Sequence, residues 1–136
     1  MDTTALDRQM GDLVWCFISG LRAGFSITQV FDMLNQEAPE SAKGTCKIIF
    51  NDLLQNVPLV EALEKWKQAY PSALLAKVAD QIIEEQLDSG YLVELLVPLE
   101  AEFIRQAGSD PAFYKAMRRD SKQIEAPLPE RAAIGG

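Results

Sequence analysis

The chain contains no histidine. That absence removes the Ser-His triad, the Cys-His pair and the usual zinc ligand sets. Cysteine is nearly absent too: Cys16 and Cys46 are the only two in 136 residues, too few for a disulfide framework. Each sits in an apolar helical pattern, Cys16 between Trp15 and Phe17 and Cys46 just before Ile48 and Ile49. They read as two buried thiols in a reducing compartment, with a single disulfide as the alternative. No apolar run approaches the roughly 18–20 residues needed to span a bilayer, and the tightest apolar cluster, Leu95 to Leu99, contains Pro98. Met1 to Asp12 is polar and carries three acids, which is not the pattern of a signal peptide. The expectation is a soluble chain. "LRAGFSITQ" lacks the glycine spacing and the lysine of a phosphate-binding loop, and no stretch alternates as a strand does. Positive charge is scarce as well: 13 basic side chains face 20 acidic ones, a formal charge of −7. An acidic chain gains nothing from counterion release on nucleic acid, so composition argues against that partner.

What is present is apolar and helical. Apolar residues make up 48% of the chain, a globular composition in a length suited to one domain with one core. A first helix is predicted from about Thr4 to Ala23, with Leu13, Phe17, Ile18 and Leu21 on one face. Gly24 follows where a left-handed residue ends a helix. Ser26 reads as an N-cap, and Gln29 three residues on completes a capping box. Ile27, Val30, Phe31 and Leu34 form the stripe of a second helix that ends near Glu37, before Pro39. Ser41 is expected to cap a third helix striped by Cys46, Ile49, Phe50, Leu53 and Leu54. Asn56 suits a left-handed stop. Pro58 suits the first position of a fourth helix, with Leu59, Ala62, Leu63 and Trp66 inward. Pro71 starts a fifth in the same way, lined by Leu74, Leu75, Val78, Ile82 and Leu87 and ended by Ser89-Gly90. A sixth begins near Tyr91 with Leu92, Leu95, Leu96, Leu99 and Phe103 inward, kinked or broken at Pro98. A short helix from Pro111 to Arg119 is expected to dock weakly. Residues 121–136, with two prolines and two glycines in "EAPLPERAAIGG", read as a disordered tail. The fold class is all-α: one domain over residues 1–120, an antiparallel bundle of about six helices joined as hairpins.

The corner "SGLRAGFSITQVFDML" has the outline of a DNA-binding helix-turn-helix. Thr28, Gln29, Asp32, Asn35 and Gln36 would then face the groove, and Gln and Asn can read adenine. Yet no Arg or Lys occurs from Ala23 to Ser41, and between Gly11 and Glu40 Arg22 stands alone against Asp12, Asp32, Glu37 and Glu40. Phosphate contacts, which supply half or more of the hydrogen bonds in such interfaces, have no donors here. The bend is explained by packing alone.

Seven acids and no base lie between Val78 and Ile104: Asp80, Glu84, Glu85, Asp88, Glu94, Glu100 and Glu102. Asp80, Glu84 and Asp88 recur every four residues and share a helix face. Three uses compete: a solvated face, a docking face for a basic partner centred on Glu84, Asp88 and Glu94, or a weak divalent-cation site on Asp80, Glu84 and Asp88. Acid–base catalysis is disfavoured, because carboxylates on a repetitive surface have no cleft to separate their pKa values. Trp15 and Trp66 read as core. Lys115, Arg118, Arg119 and Lys122 form a basic cluster at the C-terminal end, the kind found on the cytoplasmic side of a membrane helix. No cofactor is expected.

Taken in order, "LRAGFSITQVFDML", "LLQNVPLVEAL", "YPSALLAKVADQI" and "DSGYLVELLVPLEAEF" resemble the cytoplasmic helical domain of the type II secretion system F family. Its members are the inner-membrane platform proteins of type II secretion, type IV pili and Tad pili. The resemblance covers about Leu13 to Arg105, and "RAG" with "EAP" at Glu37 to Pro39 is nearest the Tad-type members. Asn56 stands where the family's middle turn usually has glycine, and Gln86-Leu87 where many members have Gly-Glu. The resemblance implies a non-enzymatic scaffold at the cytoplasmic face of the bacterial inner membrane. It would self-associate, most simply as a homodimer, and couple a secretion ATPase to other platform proteins, with no nucleic acid and no small-molecule substrate. Gly24, Ser26, Asn56 and Gly90 would be structural turn residues. Members continue into transmembrane helices, which would make Lys115 to Lys122 a juxtamembrane anchor. The alternatives are an acidic helix-turn-helix regulator and a stand-alone soluble adaptor.

Overall fold

The computed structural model describes residues 2–84 and 89–120, and these are all helix and connecting turns. Seven helices follow in order: α1 (Thr4–Arg22), α2 (Ile27–Glu37), α3 (Ala42–Leu54), α4 (Leu59–Ala69), α5 (Ala73–Glu84), α6 (Ser89–Ala107) and α7 (Pro111–Asp120). No strand occurs among the described residues. No helix among them is long and apolar enough to cross a membrane.

The helix ends follow from local chemistry. Gly24 has φ +92° and Asn56 φ +64°, left-handed positions that glycine, and less readily asparagine, adopt without clash. The Ser26 hydroxyl accepts from the Gln29 backbone N–H at 3.1 Å, and the Ser26 N–H donates to Gln29 Oε1 at 2.8 Å. The predicted capping box is therefore formed in full. Pro58 sits one position earlier than expected, at the N-cap of α4. Pro71 does not start α5. Ser72 does, accepting the Leu75 N–H on its hydroxyl at 3.2 Å. Ser41 occupies the N-cap of α3 without a side-chain cap. Its φ of 80° and ψ of −66° are a strained combination for a non-glycine residue.

Two further expectations are corrected. Ser89 and Gly90 do not end α5; they form the first turn of α6, and Leu87 lies outside the described residues. Pro98 does not break α6. Pro98 and Glu94 both lie on the exposed side, where water reaches the carbonyl that the missing N–H leaves open.

The centre of the fold is α1. It packs most extensively on α6 and also touches α2, α3, α5 and α7. Every residue from Gln9 to Gly20 is buried, so the helix is enclosed all round rather than on the single face its apolar pattern suggests. Two glycines let its neighbours close in. A Cβ at Gly11 would meet Ile104 Cγ1 at 2.7 Å, and one at Gly20 would meet Val30 Cγ2 at 2.7 Å. Val30 is fully buried and has nowhere to move. Gly20→Ala is expected to destabilise despite a helix-propensity gain of about 1 kcal/mol, because overpacking costs about 1–3 kcal/mol. A chemical denaturation curve shifted to higher midpoint would contradict this.

Around α1 the core is aromatic on one side. Phe17 meets Phe31 edge-on at 4.9 Å, and Phe31 meets Trp66 at 5.3 Å and 84°. The Trp66 indole N–H donates to the Thr45 carbonyl at 3.2 Å. The short helix α7 buries Phe113 and Met117 fully and contacts both α1 and α2.

Neither thiol is in a disulfide and both are buried, and burial pushes the Cys46 thiol well above its ordinary range. The thiolate is the reactive form. A thiol reagent at pH 8 is therefore expected to label neither cysteine in the native protein and both after unfolding in denaturant. Stoichiometric labelling of the native protein within minutes would contradict this packing.

Candidate interaction surface

Two of the three buried polar side chains of α1, Gln9 and Asp12, hold other helices, while the third, Ser19, has a buried hydroxyl without a hydrogen-bond partner. Gln9 accepts the Ala42 N–H at the start of α3 on Oε1 (2.9 Å) and donates from Nε2 to Asp110 Oδ2 (3.0 Å). Asp12, with no exposed surface, accepts the Asp110 N–H at 2.7 Å. Asp110 in turn caps α7 by accepting the Ala112 N–H at 3.0 Å. Near the start of α1, Asp7 accepts from the Ser72 hydroxyl at 2.6 Å and from Thr3 at 3.1 Å. These groups are mutually satisfied and aimed into the fold, so they organise it rather than offer a reactive centre. A small cavity of about 110 Å³ beside them is lined by Asp2, Thr3, Leu6, Ser41, Thr45 and Tyr70. Its lining pairs no nucleophile with a base, the arrangement that nucleophilic catalysis requires.

The helix-turn-helix corner is also occupied with itself. Gln29 is used by the capping box, and Gln36 donates to Asp32 at 2.7 Å. Three of the five side chains that would read a groove are thus engaged within α2.

Space alters the acidic stretch. It contains no base in sequence, but two lysines outside it fold onto it. Lys67 of α4 pairs with Asp80 at 2.9 Å, and Lys77 pairs with Glu102 at 3.0 Å. The hydrogen bond to Asp80, helped by the charges of Asp80 and Glu64, raises the Lys67 ammonium above its usual pKa. Glu102 also accepts from Gln106 at 2.9 Å. Glu85 and Asp88 lie outside the described residues, and Glu100 is half-buried with a contact of its own. Among the described residues, Glu84 on α5 and Glu94 on α6 are exposed and open to a partner. The cation site loses a ligand, since Asp80 is held by Lys67, and no group of three metal-ligating side chains converges among the described residues.

The basic cluster begins on the docked helix α7, where Lys115 is exposed. The side chains of Arg118 and Arg119, and all of Lys122, lie outside the described residues.

Sequence periodicity missed a second surface. Leu54 was expected inward and is instead 63% exposed, with Ile48 45% exposed. Both lie on α3 among the exposed Lys43 and Lys47. The signal was available: Leu54 is seven residues from Lys47 and so falls on the lysine side of the helix.

Comparison of the chain with protein-family models, with curated proteins and with solved structures finds no match in any of the three.

Proposed function

We propose that the chain is a non-enzymatic interaction domain of a secretion or pilus-assembly platform, binding a cytoplasmic ATPase through the outer faces of α5 and α6. The observation that carries this reading is the exposure of Glu84 and Glu94 after Lys67 and Lys77 have neutralised their neighbours. The resemblance of the turn pattern supports it, with Gly24 and Asn56 both left-handed where the family's turns fall. Gln9, Asp12 and Ser72 are spent on helix ends, which fits a scaffold's division of labour: a fixed interior and a charged exterior.

The test is co-precipitation of the secretion ATPase with the wild-type chain and with Glu84→Lys and Glu94→Lys. Both reversals are expected to reduce capture. Equal capture by all three would overturn the reading. A gel shift at low salt addresses the regulator alternative, and the proposal requires no shifted band.

A further inference from the structure

Two exposed faces of the molecule carry apolar side chains beside charges of opposite sign. On α3, Ile48 and Leu54 stand out among Lys43 and Lys47. On α6, Tyr91 is 48% and Val97 44% exposed, flanking the exposed Glu94. Together with exposed Pro98 these form one stripe, because positions three, four and seven apart share a helix face. Both α3 and α6 pack on α1, and they do not touch each other. One copy therefore cannot bring its own two faces together.

Their dimensions agree. Lys47 and Leu54 are seven residues apart, about 10 Å along the helix. From Glu94 the same rise reaches Ala101, past Val97 and Pro98. The next cation on α6, exposed Arg105, lies roughly 16 Å beyond Glu94 and outside that footprint. A Lys47–Glu94 pair would thus set Leu54 over the apolar side chains that follow Glu94.

We infer that the α3 face of one copy docks on the α6 face of a second copy, a head-to-tail contact that joins Lys47 to Glu94 and buries Ile48 and Leu54 against Tyr91 and Val97. Because the two faces differ, the contact is heterologous and leaves one face of each kind open, so it extends to longer assemblies. This departs from a symmetric homodimer, in which one patch meets itself. The inference rests on reading the chain as an interaction domain, but its test uses the pure chain alone and fails independently of ATPase capture.

The experiment is sedimentation velocity of the purified chain over a concentration series at low and high salt. Lys47→Glu, Glu94→Lys and the double variant are run beside it, each checked for native helix content by circular dichroism. The wild type is expected to show mass rising with concentration, weakened by salt. Each single variant is expected to weaken association on the order of tenfold or more, and the double variant to restore it. The decisive sample is an equal mixture of the two single variants. Glu94→Lys keeps a sound α3 face and Lys47→Glu a sound α6 face, and their two altered faces carry the reversed pair that the double variant relies on. The mixture is therefore expected to associate to the same extended species as the wild type, although neither variant does so alone. A wild type that stays monomeric up to about 0.5 mM, beyond the range of weak specific pairs, would overturn the inference. So would association of the wild type and of the mixture that stops at dimers, because that is the behaviour of a symmetric interface.

Discussion

Trp66→Ala is expected to cost about 3–5 kcal/mol, the range for removing a buried aromatic and leaving its cavity. Trp66 has no exposed surface. Three separate losses fall at that position. The side chain's apolar area no longer leaves water, the edge contact with Phe31 is gone, and the hydrogen bond to the Thr45 carbonyl is gone. Phe31 also holds Phe17 on α1, so the cavity opens beside the central helix. Domains of this size are stable by about 5–15 kcal/mol in total, and such a loss takes a large share of it. Trp66→Phe keeps much of the volume and is expected to fall between the two. Urea denaturation followed by circular dichroism measures both, and a midpoint for Trp66→Ala close to wild type would contradict the aromatic centre described above.

Asp12→Ala is expected to cost about 1.5–3 kcal/mol, the range for a hydrogen bond to a charged group, and to act on one place in particular. The Asp12 carboxylate holds the Asp110 N–H, and Asp110 is both a partner of Gln9 and the cap of α7. Removing it leaves a donor without its acceptor at the point where α7 joins the core. Amide exchange should then quicken first in α7, around Phe113 and Met117, and only later in α1 and α6. Asp12→Asn retains an oxygen that can accept from Asp110 and is expected to lose less. Uniform acceleration across all helices would show that Asp12 supports the fold generally rather than anchoring α7.

These two sites show which parts of the fold the sequence makes legible. The ends of α1, α2 and α3 are readable because Gly24, the Ser26–Gln29 box and Asn56 act within a few residues of themselves. The cap of α5 is not, because Ser72 is fixed by Asp7, which is 65 residues away. The docking of α7 is hidden for a similar reason: Phe113 and Met117 are two apolar residues in a cationic segment, and their anchor is on α1. Leu54 follows Leu53 directly, but neighbouring positions differ by about 100° around a helix, so Leu53 packs against the core while Leu54 faces outward. In the candidate site, the run of seven acids was visible but its neutralisation was not. Lys67 reaches Asp80 from another helix, and Lys77 reaches Glu102 across 25 residues of chain. Among the described residues, what a linear charge count presents as one acidic face is, once folded, Glu84 and Glu94 exposed beside two ion pairs. Such exposed pairs contribute little stability, and their effect here is on where negative charge remains open to a partner.

In the proposed platform role, this open charge meets a basic face of the secretion ATPase. Titration of the purified ATPase with the purified chain at several salt concentrations, alongside Glu84→Lys, measures that contact. Saturable binding is expected, weakening steadily with salt and weakening further in Glu84→Lys at low salt. Binding of equal strength in the variant and the wild type, or no binding at the lowest salt, would contradict it.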